Sequence, residues 1–303
     1  MFVHEKGLSM KLLQAIIMGL VQGITEFIPV SSSGHLAVIK ALFGFETDTG
    51  VLFDVLLHVA TIGAICVVFY KDIMRLVVEF FGMIKDVCVN ASILAKAIAG
   101  NNSQEKYVRI ISNAYRRFVF LLIVSTIPTG ILGILMNDVV DFATGNLLIT
   151  GICFISTALI VMMSDYLPEG DKRLKEINYA DAFGVGIAQG IATLPGLSRS
   201  GVTITASLLC GFDRKFAAKY SFIMSIPAIM GALILELTEI GEETITAGDV
   251  GCYLLGMVIA AAVGVFILKF LLGLIHKKSL KYFSFYCIGM GFLSIIIYII
   301  KLK

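Results

Sequence analysis

Long apolar runs separated by short polar segments dominate the chain. A helix needs about 20 residues to cross a bilayer, and continuous runs near this length lie at 52–70, 117–136, 145–164, 219–238, 250–273 and 282–300. Two further apolar stretches, at 12–45 and 180–212, are interrupted in the middle by Pro, Gly and Ser. The pattern predicts six transmembrane helices and two re-entrant helical hairpins, each entering and leaving the membrane on one side.

The segment 72–115 has a different pattern. Its apolar residues recur at helical spacing, but Glu79, Lys85, Asp86 and Lys96 interrupt them. A helix with one apolar face and one charged face is typical of the membrane interface. We therefore predict an interfacial segment over 72–115 and not a further span.

Composition places nearly the whole chain in lipid. Hydrophobic residues make up 58% and charged residues only 15% of the 303 residues, whereas soluble domains carry about 25% charged residues. The mean hydropathy is +0.92. These values exclude a soluble enzyme, and the net charge of +2 argues against a nucleic-acid partner. The fold class is therefore an all-α polytopic membrane protein, in which 1–303 form a single membrane domain.

The distribution of Lys and Arg predicts the orientation. The segment 71–117 holds eight of them, whereas the loops 44–51, 137–146 and 239–249 hold none. Loops rich in Lys and Arg remain on the cytoplasmic side. With six spans and two hairpins, every basic loop falls on that side, and both termini lie outside.

The two broken stretches are copies of one another. Gly19, Gln22 and Gly23 match Gly186, Gln189 and Gly190 at an offset of 167 residues, and the same offset relates 31–34 to 198–201. Each copy precedes three spans, an odd number, so the second copy inserts upside down. The pattern predicts an inverted-topology repeat, with repeat 1 at 12–165 and repeat 2 at 179–303, whose hairpin tips meet near the bilayer midplane.

Both tips carry groups suited to binding an anion. In each, a new helix begins at a Ser-rich turn after a proline, and a helix N-terminus attracts negative charge. Arg199 adds a guanidinium that can chelate phosphate oxygens. An arginine in an apolar segment is costly to insert, so we expect it to pair with Glu26 or with a bound anion.

The first tip carries the candidate reactive groups. Glu26, Ser32 and His35 supply a carboxylate, a hydroxyl and an imidazole, and such groups can provide the base, the nucleophile and an acid or second base for phosphoryl transfer. We predict these three residues and Arg199 as catalytic, with Ser32 or His35 as the nucleophile. Serines after a proline also serve as helix caps. The predicted diphosphate-binding residues are Gln22, Ser31, Ser33, Ser198, Ser200 and Thr203.

The motifs resemble those of the undecaprenyl-diphosphate phosphatase family of bacitracin-resistance membrane proteins. The first family motif matches Gln22, Glu26 and the segment 29–35, and the second matches 195–203. Many members carry a glutamate where this chain has Gln22, so Glu26 would carry the negative charge alone.

The resemblance implies an activity and a location. The chain would hydrolyse undecaprenyl diphosphate to undecaprenyl phosphate and inorganic phosphate, recycle the lipid carrier of cell-wall synthesis and confer bacitracin resistance. A divalent cation, Mg²⁺ or Ca²⁺, would assist, with Glu26 as its ligand. The protein would lie in the bacterial cytoplasmic membrane with its active site facing outside.

A transporter provides the alternative function. Inverted repeats with discontinuous helices are common in secondary transporters. The same site could therefore belong to a transporter or flippase of a polyprenyl phosphate or a small anion.

Overall fold

The computed structural model describes residues 2–45, 50–99, 105–239, 247–275 and 280–302. Within these ranges the chain is helical, and its only β feature is an isolated bridge between Lys172 and Phe212. The helices are α1 (Phe2–Thr25), α2 (Ser32–Phe43), α3 (Gly50–Val68), α4 (Tyr70–Ile98), α5 (Ala114–Leu135), α6 (Asn137–Thr144), α7 (Leu147–Tyr166), α8 (Tyr179–Ile191), α9 (Arg199–Leu209), α10 (Arg214–Glu239), α11 (Ala247–Ile275) and α12 (Lys281–Lys301).

The helices agree with an all-α polytopic membrane protein. Among the described residues, α5, α7, α10, α11 and α12 are long and apolar enough to cross a membrane, and the pair α3–α4 is a sixth candidate that is bent by 98°. All six apolar runs predicted as spans are helical. The loops 44–51 and 239–249, as well as Lys277 and Lys278 of a basic loop, lie wholly or largely outside the described residues.

Two boundaries differ from the sequence prediction. The first helix begins at Phe2, although the apolar run begins at residue 12. In the interfacial segment, only Tyr70–Ile98 is helical, and the described residues 105–113 that precede α5 are irregular. The polar composition of 100–106 supplies no apolar face to continue the helix.

Each broken stretch forms two helices joined by a short turn. The turn 26–31 joins α1 to α2, and the turn 192–198 joins α8 to α9. Ser31 and Ser198 cap the new helices, their hydroxyls accepting hydrogen bonds from the N–H groups of Gly34 and Gly201. These caps satisfy backbone donors that would otherwise stay unpaired in an apolar environment.

Small residues allow the hairpins to pack closely against the spans. Helix α1 packs on α11, and α8 packs on α5. A Cβ at Gly19 would lie 2.5 Å from the carbonyl oxygen of Gly256, and one at Gly186 would lie 2.2 Å from that of Ser125. Such close backbone approach stabilises helix pairs in membranes through van der Waals contacts.

The Gly186 contact predicts a difference between two glycines of α8. We expect Gly186→Ala to destabilise the protein by about 1–3 kcal/mol, because the new methyl group would collide with backbone that cannot move without separating α5 from α8. A Cβ at Gly184 meets nothing within 4 Å, so Gly184→Ala should be neutral or stabilise by up to about 1 kcal/mol. Thermal unfolding in detergent measures both changes, and equal melting temperatures would contradict the packing.

Candidate active site

The tips of the two hairpins are in contact. The backbone N–H of Gly196 donates to Ser31 Oγ over 3.1 Å, and a Cβ at Gly34 would lie 2.9 Å from the Cα of Gly196. Gly196 has φ +94°, a conformation that glycine adopts without steric cost. The N-termini of α2 and α9 therefore lie together inside the helix bundle.

Glu26 lies at the centre of this junction. Its side chain is 3% exposed, and its Oε1 accepts a hydrogen bond from the Arg199 guanidinium. Its Oε2 accepts from Ser32 Oγ at 2.6 Å and from Gln22 Nε2 at 2.9 Å. The carboxylate thus joins both tips and is in direct contact with a hydroxyl that it could deprotonate.

A further residue, His58, faces the same carboxylate. Its Nε2 lies 3.5 Å from Glu26 Oε2, and its Nδ1 is 2.8 Å from the carbonyl oxygen of Asp54. Asp54 in turn accepts a hydrogen bond from Lys40 at 2.6 Å. The Asp54 carbonyl can hold the proton on Nδ1 and leave Nε2 directed at the carboxylate.

His35 lies in a separate, aromatic environment. Its Nδ1 is 2.6 Å from the carbonyl oxygen of Ser31, and its Nε2 is 2.8 Å from the hydroxyl of Tyr286. The ring stacks on Tyr286 and meets Phe154 edge-on. Both ring nitrogens are therefore engaged with groups other than Glu26, Ser32 and Arg199.

The remaining hydroxyls fall into two groups. The hydroxyl oxygens of Ser31 and Ser33 are 3.4 Å apart, and those of Ser198 and Ser200 are 3.2 Å apart. These serines surround the junction, and Ser200 also donates to the carbonyl of Ile28. Thr203 instead donates to the carbonyl of Arg199 at 2.7 Å and contacts the hydroxyl of Ser221. Its hydroxyl therefore stabilises α9 against α10.

Comparison with known proteins identifies the family. Residues 15–293 match the family described as Bacitracin resistance protein BacA. The chain belongs to the BacA family.

The chain is also similar to BacA relatives that are named undecaprenyl-diphosphatase. That of Methanosphaera stadtmanae is 38% identical over 289 residues, covering 95% of this chain and 99% of the relative. That of Treponema denticola is 40% identical over 283 residues, covering 93% and 96%. That of Alkaliphilus metalliredigens is 37% identical over 283 residues, covering 93% and 97%. Both hairpin tips lie within the matched region.

The junction only partly fits the divalent cation that the BacA motifs imply. Among the described residues, no group of three or more His, Cys, Asp and Glu side chains could hold a metal ion. Beside Glu26, however, Gln22 Oε1 is buried and has no hydrogen-bond partner. Because Mg²⁺ commonly combines one or two carboxylates with substrate phosphates, these donors fit a cation whose coordination is completed by a diphosphate.

Two contacts at the site were not predicted. His58 and Asp54 are one helical turn apart on α3, and an acid–histidine pair at this spacing in an apolar run is the signal that could have indicated them. Tyr286 lies 251 residues after His35. No local pattern links these two residues, since only the packing of α12 brings them together.

Proposed function

We propose that this BacA family member hydrolyses undecaprenyl diphosphate to undecaprenyl phosphate and inorganic phosphate, and thereby contributes to bacitracin resistance. The observation that carries the proposal is the contact of Ser32 and Arg199 with opposite oxygens of the buried Glu26 carboxylate. This group supplies a nucleophile, a base and a phosphate ligand at the meeting point of two helix N-termini. The names of the relatives support the same reaction.

Substrate binding would first change the partner of Arg199. Without a ligand its guanidinium pairs with Glu26. A diphosphate carries more negative charge than a carboxylate and accepts paired hydrogen bonds from arginine. As Arg199 moves to the phosphate, Glu26 loses its strongest cationic partner and becomes a better acceptor for the Ser32 proton. Ser33, Ser198, Ser200 and Ser31 surround the same space and would bind further phosphate oxygens.

Ser32 is the proposed nucleophile. Its Oγ attacks the terminal phosphorus, its proton passes to Glu26 Oε2, and the bond from that phosphorus to the bridging oxygen breaks. Undecaprenyl phosphate leaves with the electrons of the broken bond, and the phosphoryl group stays on Ser32. Arg199 stabilises the charge that develops on the transferred group. Water then attacks the phosphorus of the phosphoserine, and the bond from that phosphorus to Ser32 Oγ breaks. Glu26 returns its proton to Oγ, and the proton of the water leaves with the inorganic phosphate.

His35 would act by positioning and not as the nucleophile. Its contact with the Ser31 carbonyl fixes the turn that precedes Ser32. His58 Nε2 faces Glu26 from the other side and is placed to receive a proton from it. A divalent cation, Mg²⁺ or Ca²⁺, would be held by Gln22 and Glu26 together with substrate oxygens. When bound, it would neutralise charge on the diphosphate.

The same proposal includes an inverted repeat. If α1 corresponds to α8 and α5 to α11, the packing of α1 on α11 and of α8 on α5 is one contact that occurs twice. Gly19 and Gly186, which are equivalent in the repeat, both allow close backbone approach in these pairs. With the basic loops in the cytoplasm, the first hairpin opens outward, and the site would face the outside of the bacterial cytoplasmic membrane.

Phosphate release from a polyprenyl diphosphate by the purified protein in detergent tests the activity. We expect release of one phosphate per lipid, accumulation of the lipid monophosphate and no further hydrolysis of that product. Rapid acid quenching of a reaction with substrate labelled at the terminal phosphate should leave label on Ser32. The label should be absent in Ser32→Ala, and stoichiometric turnover without any labelled protein would exclude the serine nucleophile.

A further inference from the structure

Helix α4 has an apolar face that the rest of the described chain does not cover. Val77, Phe81 and Ile84 lie on this face and are 45%, 64% and 45% exposed. They lie close together around the helix, since consecutive residues differ by about 100°. The face continues over much of the length of Tyr70–Ile98, and an apolar strip of this extent requires a partner.

The acidic side chains of α4 all face the protein. Asp72, Glu79 and Asp86 are seven residues apart and therefore share one side of the helix. Asp72 pairs with Lys219 at 2.5 Å, while Glu79 and Asp86 both accept hydrogen bonds from Arg116. The Asn113 amide and the Arg116 guanidinium lower the pKa of the Glu79 carboxyl, so it stays charged in this cluster. The negative charges of α4 are thus compensated within the fold.

Basic side chains border the apolar face. Lys71 and Lys85 are exposed and lie within about 40° of one another around the helix. Neither has a carboxylate partner within hydrogen-bonding distance among the described residues. Lys96 lies on the same border and pairs with Glu105 at 2.9 Å. The border therefore presents uncompensated positive charge directly beside apolar side chains.

The bend between α3 and α4 gives the orientation of this surface. The two helices meet at 98°, so a helix α3 that crosses the membrane sends α4 along the membrane plane. At the bend a cavity of about 330 Å³ is lined by Phe69, Asp72, Lys215, Lys219 and apolar residues of α11. Lys215 thus adds positive charge beside the bend, where Lys219 pairs with Asp72.

We infer that α4 is a docking surface for anionic phospholipids: its apolar face lies among the acyl chains, and Lys71 and Lys85 bind the headgroup phosphates. Three observations agree on this partner, namely the exposed apolar strip, the internal compensation of every acid on α4, and the 98° bend between α3 and α4. A zwitterionic headgroup would satisfy the apolar face but would leave the lysine charges uncompensated. Basic residues beside an anionic leaflet favour binding by about fivefold each.

The chain contains no Trp, so one introduced tryptophan is a unique reporter. We would reconstitute full-length Phe81→Trp in vesicles that contain brominated phosphatidylglycerol or brominated phosphatidylcholine and measure fluorescence quenching. We expect strong quenching by lipids brominated near the headgroup and several-fold tighter association of the anionic lipid. Adding Lys71→Gln and Lys85→Gln should bring the ratio of the two association constants close to one.

Two matched variants control the measurement. Phe292→Trp places the reporter at a 56% exposed position of the span α12, where quenching should be greatest for deeply brominated lipids and without anionic preference. Arg173→Gln with Lys175→Gln removes two charges from another basic segment and should leave the ratio at Phe81→Trp unchanged. Equal association of both lipids with Phe81→Trp would overturn the inference. So would an apolar emission spectrum without quenching, which would assign the face to another copy of the chain.

Discussion

Replacing Glu26 with Gln is expected to lower kcat/KM for polyprenyl diphosphate hydrolysis by about 10³-fold. The amide keeps the size of the side chain but cannot accept the Ser32 proton, and loss of a general base typically costs 10²–10⁴-fold in rate, as an order-of-magnitude estimate. The measurement is phosphate release under substrate-limited conditions, together with the rate at which label appears on Ser32. Both rates should fall together, because Glu26 is needed before the phosphoserine forms.

Glu79→Gln is the matched control for this change. Like Glu26, Glu79 is a carboxylate that accepts a hydrogen bond from an arginine, at 2.9 Å, but it is only half-buried and lies on α4. Its replacement should leave kcat/KM within about twofold of the unaltered protein, because Glu79 pairs with Arg116 and not with Ser32 or Arg199, and a partly exposed ion pair contributes little to stability. An unchanged rate in Glu26→Gln, with a folded protein, would remove Glu26 from the mechanism.

The variant Ser32→Ala distinguishes a flippase that uses the same junction from a phosphatase. Translocation needs the anion-binding groups but no nucleophile. If vesicles containing Ser32→Ala translocated a polyprenyl phosphate while phosphate release was lost, the junction would serve both activities. Translocation by a protein that never releases phosphate would instead replace the proposed function.

The helical framework could be predicted from the sequence because it depends on local composition. Each long apolar run forms a helix, and the breaks after Thr25 and Ile191 coincide with turns that each contain a proline and end in a serine. The 98° angle of the bend after Val68 was not predicted. Tyr70 continues the helical pattern almost without interruption, and the pairing of Asp72 with Lys219 is a tertiary contact that no local pattern encodes.

In the candidate site, too, some contacts could be predicted from the sequence and others depend on tertiary packing. An inserted arginine and an inserted glutamate predict one another because each is costly alone in an apolar environment, and the structure places Arg199 against Glu26. The surroundings of His35 and His58 depend instead on how α3 and α12 pack around the first hairpin. The sequence therefore indicated the pairing of Glu26 with Arg199 more clearly than the orientation of each histidine.

Replacing Arg199 with Met should both inactivate the enzyme and destabilise it. The apolar side chain fills similar space but cannot bind phosphate, so we expect kcat/KM to fall by about 10³-fold. It also leaves the Glu26 carboxylate buried without its cationic partner. Breaking one half of a buried pair costs about 3 kcal/mol or more, which thermal unfolding in detergent would detect. Arg199→Lys keeps the charge but loses the forked hydrogen-bond donors of the guanidinium. Its activity should therefore lie between that of the unaltered protein and that of Arg199→Met.

The double variant Glu26→Gln, Arg199→Met separates folding from catalysis. Because neither side chain is then charged, we expect most of the lost stability to return, since apolar or neutral replacement of a whole buried pair is often tolerated. Activity should not return, because both the base and the phosphate ligand are absent. Stability in the double variant as low as in Arg199→Met would show that the guanidinium acts through packing, whereas wild-type stability in Arg199→Met alone would show that the pair does not hold the two tips together.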